Sequence, residues 1–122
     1  MGENEAVSVD EKSRIVVEAI QEKKGHHIIT IDLTEVDHAI CDRFIICHGE
    51  STTQVGAIAD SIEKELKEKA GIRPHHIEGL QNSQWVLIDL FDVLVHVFLE
   101  ESRNFYRLEE LWADGRVVAE KE

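Results

Sequence analysis

The chain is short of several things, and each shortage narrows what it can be. Among its 122 residues there is one proline, so no Pro-rich linker divides it, and its length fits a single domain. It has two cysteines, Cys41 and Cys47, both within or beside one apolar run and without CxxC spacing. A disulfide framework or a thiolate zinc site is therefore not expected; reduced structural thiols are. Basic residues are scarce, 13 Lys and Arg against 25 Asp and Glu, for a net charge of −12. Nucleic-acid affinity comes largely from neutralising phosphates with Lys and Arg, so little direct nucleic-acid contact is expected. Such a surface is suited to steering towards a basic partner, or to solubility alone. No apolar run approaches the roughly 20 residues that cross a bilayer, and Met1–Asp10 is polar and acidic, unlike a signal peptide. A soluble, cytoplasmic protein with no membrane contact is expected.

What is present is an ordinary globular mixture, 43% hydrophobic and 31% charged, which argues against whole-chain disorder. A domain of this size buries roughly two-thirds of its unfolded surface and needs no staple. Residues Met1–Val7 read as a polar leader. Ser8 and Glu11 form a capping-box pattern ahead of an apolar stripe, Ile15, Val16, Ala19 and Ile20, with Gly25 as a stop. His27–Leu33 and Asp42–His48 are β-branched, apolar runs that read as strands, the second one inside the sheet. Ser51 and Gln54 repeat the capping pattern. Val55, Ile58, Ala59, Ile62 and Leu66 then mark an amphipathic helix closed by Gly71 and Pro74. A short strand at His75–Glu78 precedes two strong strands, Trp85–Asp89 and Val93–Leu99, whose three-residue link allows only a hairpin. Ser102 can cap a last helix, with Phe105, Leu108, Leu111 and Trp112 as its apolar face. Ala113–Glu122 reads as a polar tail with a small apolar patch at Val117-Val118. The order α-β-β-α-(β)-β-β-α predicts an α/β (α+β) fold, a mixed sheet of about five strands flanked by helices.

Reactive residue types are present without a catalytic pattern. The pairs His26-His27 and His75-His76 place adjacent side chains on opposite faces of a strand, so neither chelates alone, and no metal site is expected. Cys47-His48 diverge for the same reason. Asp89 and Asp92 flank the hairpin turn, where Asp is a common turn residue and also a Mg²⁺ ligand type. Gly49-Glu50-Ser51-Thr52 precedes a helix but lacks the lysine of a P-loop. His96 shares a strand face with Leu94 and Phe98 and is either a core residue or a ring nitrogen offered to a partner.

The last third carries a further pattern: Glu78-Gly79, Trp85–Asp89, Asp92–Phe98, Arg103, Tyr106, and Leu108-Glu109 with Leu111-Trp112. Together with Asp42–Cys47, Gly49, Gln54-Val55 and Ala57–Asp60 upstream, it resembles the Iojap family of ribosomal silencing factors over about Asp10 to Asp114. A domain at 8–114 with tails at 1–7 and 115–122 follows. The resemblance implies a nucleotidyltransferase-like fold without catalytic residues, no enzymatic activity and no cofactor. The partner it implies is ribosomal protein fourteen of the large subunit, bound so that the small subunit is sterically kept from joining when nutrients are scarce. The partner-binding residues expected on this basis are Trp85, Asp89, Asp92, His96, Arg103, Tyr106 and Glu109. Trp85 and Tyr106 would serve as aromatic anchors, the carboxylates as partners for Arg or Lys, and His96 and Arg103 to complete the face. The structural alternatives are core packing for the tryptophans and an intrahelical Arg103–Glu109 ion pair. A large-subunit assembly factor or a degenerate nucleotide-binding enzyme is the alternative function, and a homodimer is expected if an apolar face stays uncovered. In the hairpin turn Phe91-Asp92 stands where the family commonly has Gly-Asp, and the tail beyond Asp114 is its own.

Overall fold

A computed structural model describes residues 7–122; most of the expected leader therefore lies outside the described residues. Helix α1 spans Val9–Glu22 and begins as the capping pattern predicts, with Ser8 Oγ accepting from the Glu11 N–H at 3.1 Å. The Glu11 carboxylate does not return to Ser8; it pairs with Arg14 at 2.7 Å. The helix closes with Gly25 N–H donating to Ile20 O and Lys24 N–H to Gln21 O, the two bonds of a Schellman turn. Lys24, rather than Gly25, takes the left-handed conformation (φ 60°). Gly25 is needed for a different reason: a Cβ there would meet the Ile20 side chain.

Strands β1 (His26–Asp32) and β2 (Arg43–Gly49) follow, then α2 (Thr52–Ala70), β3 (His76–Glu78), β4 (Trp85–Asp89) and β5 (Val93–Leu99). Two short helices, α3 (Glu100–Tyr106) and α4 (Leu108–Leu111), lead to β6 (Arg116–Ala119). At the start of α2, Ser51 Oγ accepts from Gln54 N–H, and Gln54 Oε1 accepts from Glu50 N–H at 2.8 Å. Gly71, at φ 65°, terminates it.

The six strands form one mixed sheet in the order β3-β4-β5-β2-β1-β6. Only β2 and β5 run parallel, with Ile45 opposite Val95; the other neighbours are antiparallel. This central pair is apolar on both faces, as strands buried on both sides must be. The long helices α1 and α2 cover one face, packing Ile15, Ile20, Ile58 and Ile62 against Ile45, Val86, Ile88, Val95 and Val97. The opposite face is built from Ile31, Phe44, Ile46, Leu94 and Phe98, and Leu108 is the buried helix residue laid against it.

The C-terminal third departs from expectation at three points. Residues 115–122, expected as a tail, contain β6, which pairs with β1 so that Ile31 faces Val117. All four β6 residues are exposed, so the strand carries no apolar alternation to announce it; backbone pairing makes it. Ser102 caps nothing, because α3 starts earlier, after Leu99, with no side-chain cap. Phe105 and Leu111, expected in an apolar helix face, are 78% and 74% exposed, while Leu108 is buried and Trp112 half-buried. The break at Arg107 (φ 49°) divides the expected helix in two and rotates its second half.

The hairpin tip is equally specific. Phe91 sits at φ 72°, a left-handed conformation where glycine is the low-cost residue, and its ring is exposed against His75. Beneath the tip, the ammonium of Lys12 is 1% exposed and donates to Asp92 Oδ1 at 2.8 Å and to Leu90 O at 3.3 Å. Removing the ammonium leaves the Leu90 carbonyl unpaired and the Asp92 carboxylate, 30% exposed, only partly solvated. Lys12→Met is therefore expected to lower stability by about 1.5 kcal/mol in urea denaturation. A loss under about 0.5 kcal/mol, the range of ordinary surface changes, would show that the pair does not fasten the hairpin to α1.

Candidate functional site

Strand alternation sends Trp85, Leu87 and Asp89 of β4 to the face away from the long helices, and Leu94, His96 and Phe98 of β5 to the same side. The antiparallel register sets Trp85 opposite Phe98. Helix α3 then lays Tyr106 over both. The Trp85 ring lies 4.8 Å, centroid to centroid, from Phe98 and also 4.8 Å from Tyr106, and Phe105 meets Tyr106 edge-on at 5.0 Å. The outcome is an aromatic cluster buried at Phe98, half-buried at Trp85 and open to solvent at Tyr106 and Phe105.

His96 is the polar member of the cluster. Trp85 Nε1–H donates to its Nδ1 at 3.1 Å, which places the imidazole proton on Nε2. Phe44 stands edge-on to the ring at 4.7 Å, and Nε2 has no hydrogen-bond partner among the described residues. The side chain is 5% exposed, and burial pushes its pKa down to about 4. His96 is thus a neutral ring that orients Trp85.

Arg103 is buried below the cluster. Its Nε donates to Glu109 Oε1 at 3.1 Å, and its Nη1 to His27 O at 2.7 Å and His48 Nδ1 at 3.0 Å. The ion pair with Glu109, the structural alternative for these residues, is present, but it links α3 to α4 instead of lying within one helix. Glu109 Oε2 is itself buried and has no hydrogen-bond partner among the described residues. His48 joins His26 and His27, with ring centroids 5.6 and 5.7 Å away, and burial with the Arg103 charge lowers its pKa. Glu50 and Glu122 bind the His26 ring nitrogens at 2.9 and 3.2 Å. Among the described residues no group of three such side chains is arranged to hold a metal. Burial raises Cys41 to about 11 and Cys47 to about 12, so both are neutral thiols.

Trp85, His96, Tyr106, Arg103 and Glu109 therefore come together, the last two as support. Asp89 and Asp92 do not join them. Asp89 lies at the far end of β4, about 13 Å along the strand from Trp85, and its carboxylate accepts the Phe91 N–H at 2.8 Å. Asp92 turns to the opposite layer and holds Lys12. Sequence reasoning did not assign Phe98 to the site, nor see that Phe105 and Leu111 are exposed rather than core. Their apolar spacing reads as core, and only the position of the break at Arg107 could have separated them.

The pKa of His96 has a direct consequence for stability. Its folded value, about 4, lies below an unfolded value near ~6.5. The unfolded chain therefore binds more protons between those limits, and stability falls as pH drops through that window. His48, shifted in the same direction, adds to the effect. Acidification from pH 7 to pH 5 should cost about 2 kcal/mol through His96 alone, measured by urea denaturation at each pH. His96→Phe should lose that part of the slope; an unchanged slope would mean that His96 is not held neutral.

With this geometry in place, comparisons with known proteins become informative. Residues 6–122 match the family model for the ribosomal silencing factor during starvation, RsfS. The ribosomal silencing factor RsfS of Halalkalibacterium halodurans is 40% identical over 112 residues, which is 92% of this chain and 94% of that protein. A crystal structure of a protein from Chromobacterium violaceum superposes with a TM-score of 0.82 at 37% identity, covering 88% of each chain. The mouse mitochondrial assembly of ribosomal large subunit protein 1 is 34% identical over 73 residues, 58% of this chain and 32% of that protein. A match across nearly the whole chain, in sequence and in fold, is more than a shared architecture: the chain belongs to the ribosomal silencing factor (RsfS) family.

Proposed function

We propose that the chain binds the large ribosomal subunit through the face carrying Trp85 and Tyr106, and that the bound domain keeps the small subunit from joining. The observation that carries this reading is the aromatic cluster on a sheet face left partly open by two short helices. A rigid aromatic patch of this kind has the composition of a binding hot spot. A net charge of −12 suits it to a basic ribosomal protein, and the family resemblance makes ribosomal protein fourteen the expected partner. The mechanism is steric and translation would be repressed under nutrient limitation, with no catalytic step and no cofactor. Its setting would be the cytoplasm; no helix among the described residues is long and apolar enough to cross a membrane.

A second reading, an assembly factor for the large subunit, draws on the name of the mouse relative and would use the same face. A nucleotide-binding enzyme has less support, because Asp89 and Asp92 are turned into different layers and each carboxylate is already engaged. A homodimer through the same open face would compete with the ribosome for it.

Co-sedimentation with isolated large subunits tests the proposal. Wild-type chain should pellet with them and raised salt should weaken the capture. Trp85→Ala or Tyr106→Ala should weaken it about 30-fold, the loss of a hot spot worth about 2 kcal/mol, with far-UV circular dichroism unchanged. Full capture by both variants would place the contact elsewhere, and absence of wild-type capture would remove the proposal. Wild-type capture that leaves joining of small subunits unimpeded would favour the assembly role.

A further inference from the structure

Beside the aromatic cluster, between the start of β4 and α3, lies a cleft of about 180 Å³ lined by Gly79, Asn82, Gln84, Trp85, Ser102 and Tyr106. Gly79 makes its wall possible. At φ 89° it packs against β4 so closely that a Cβ would collide with the Trp85 carbonyl oxygen. Two aromatic rings border the cleft, and the polar atom of one is already committed: Trp85 Nε1–H donates to His96. Trp85 therefore offers the cleft only a π surface. The side-chain amides of Asn82 and Gln84 and the hydroxyls of Ser102 and Tyr106 form no hydrogen bond with any described residue. Four neutral groups able to accept hydrogen bonds thus converge on two rings, and no cationic side chain lines the space.

The surroundings are anionic. Residues 76–110 carry seven acidic side chains and two basic ones, Arg103 and Arg107. Both arginines are paired internally, with Glu109 at 3.1 Å and Glu110 at 3.6 Å. An anion would find no counter-charge here. An apolar group would leave the polar groups unpaired, which costs affinity. A lysine ammonium, compact and strongly hydrated, calls for a carboxylate that the cleft lacks. A guanidinium meets each requirement: it is planar, weakly hydrated, stacks on aromatic faces, and spreads five N–H donors towards neutral acceptors.

We infer that this cleft seats an arginine side chain of the protein partner, its guanidinium over the Trp85 and Tyr106 rings and its N–H groups directed at Asn82, Gln84 and Ser102. The partner is the one the docking proposal requires, so the inference rests on that reading and specifies how its face recognises a basic protein.

Titration of the full ¹⁵N-labelled chain with N-acetyl-arginine amide tests the site, followed on the Trp85 indole and the Asn82 and Gln84 side-chain amides. Saturable shifts are expected, with binding about tenfold weaker for the citrulline analogue, which keeps the shape and loses the charge. Ser102→Leu, on a half-buried helical position, fills the cleft and should abolish the shifts while the remaining spectrum stays folded. Absence of saturable arginine shifts, or equal binding of citrulline, overturns the inference. The same variant in large-subunit co-sedimentation separates the two ideas. Capture about tenfold weaker than wild type supports the arginine seat. Undiminished capture by Ser102→Leu while Tyr106→Ala fails overturns the seat and leaves the docking face standing. Saturable arginine binding by a wild-type chain that large subunits do not capture supports the seat and overturns the docking reading.

Discussion

The buried guanidinium of Arg103 fixes the aromatic face of this molecule. Two short helices, of seven and four residues, are too short to persist on their own, since isolated helices below roughly a dozen residues are marginal in water. Arg103 ties them to the sheet with charge-assisted bonds to the His27 carbonyl, to His48 and to Glu109. The His27 carbonyl is available because β1 is irregular there: its register with β2 shifts between His26 and Ile29, and His27 itself adopts φ 46°. An interior strand with unbroken pairing would have spent that carbonyl on its neighbour. The bulge and the arginine form one device, and Tyr106 reaches Trp85 because α3 is held where that device puts it.

The two faces of the sheet divide the labour. The parallel contact between β2 and β5 requires a crossover, and α2 supplies it on the face that α1 shares. That layer has the long amphipathic helices, the larger apolar cluster and the buried Lys12 pair beneath the hairpin. It secures the fold. The opposite layer inherits short elements and incomplete cover, and Tyr106, Phe105 and Leu111 remain exposed. A chain with two equally thick layers would have no such surface. Stability is concentrated on one side, which leaves the other free for the docking proposed above.

Legibility in the sequence followed the same division. The secondary-structure elements of the α1–α2 layer obey local rules: a capping serine, a helical apolar stripe, an apolar strand, a terminating Gly71. Those signals depend on residues a few positions apart, so they survive without the fold. The C-terminal third depends on contacts across the chain. Strand β6 exists by pairing with β1, almost ninety positions earlier in sequence, and its exposed Val117 and Val118 look like tail residues. Ser102 had the right chemistry for a cap but stood inside a helix that Leu99 opens. At the site, the identity of Trp85, His96 and Tyr106 could be read from the family pattern, yet their contacts could not. That Asp92 serves Lys12, eighty positions away, and so leaves the aromatic group, is a fact of packing alone.

On the proposed docking reading, the state of His96 is what makes this face suit a protein rather than a proton or an anion. A tryptophan on a binding surface carries one donor, and docking that leaves it unpaired loses affinity. Here the donor is satisfied within the chain before any partner arrives. Because burial keeps His96 neutral down to about pH 4, its Nδ1 remains an acceptor across the physiological range and the indole stays oriented. Binding then requires neither rotamer selection at Trp85 nor desolvation of its N–H. Both are costs that weaken flexible aromatic contacts. The half-buried ring presents a π surface beside Tyr106, and the anionic surroundings favour positive charge approaching it. Preorganised aromatics with their polar atoms turned inward recognise shape and cation together, which is the combination a basic protein surface supplies.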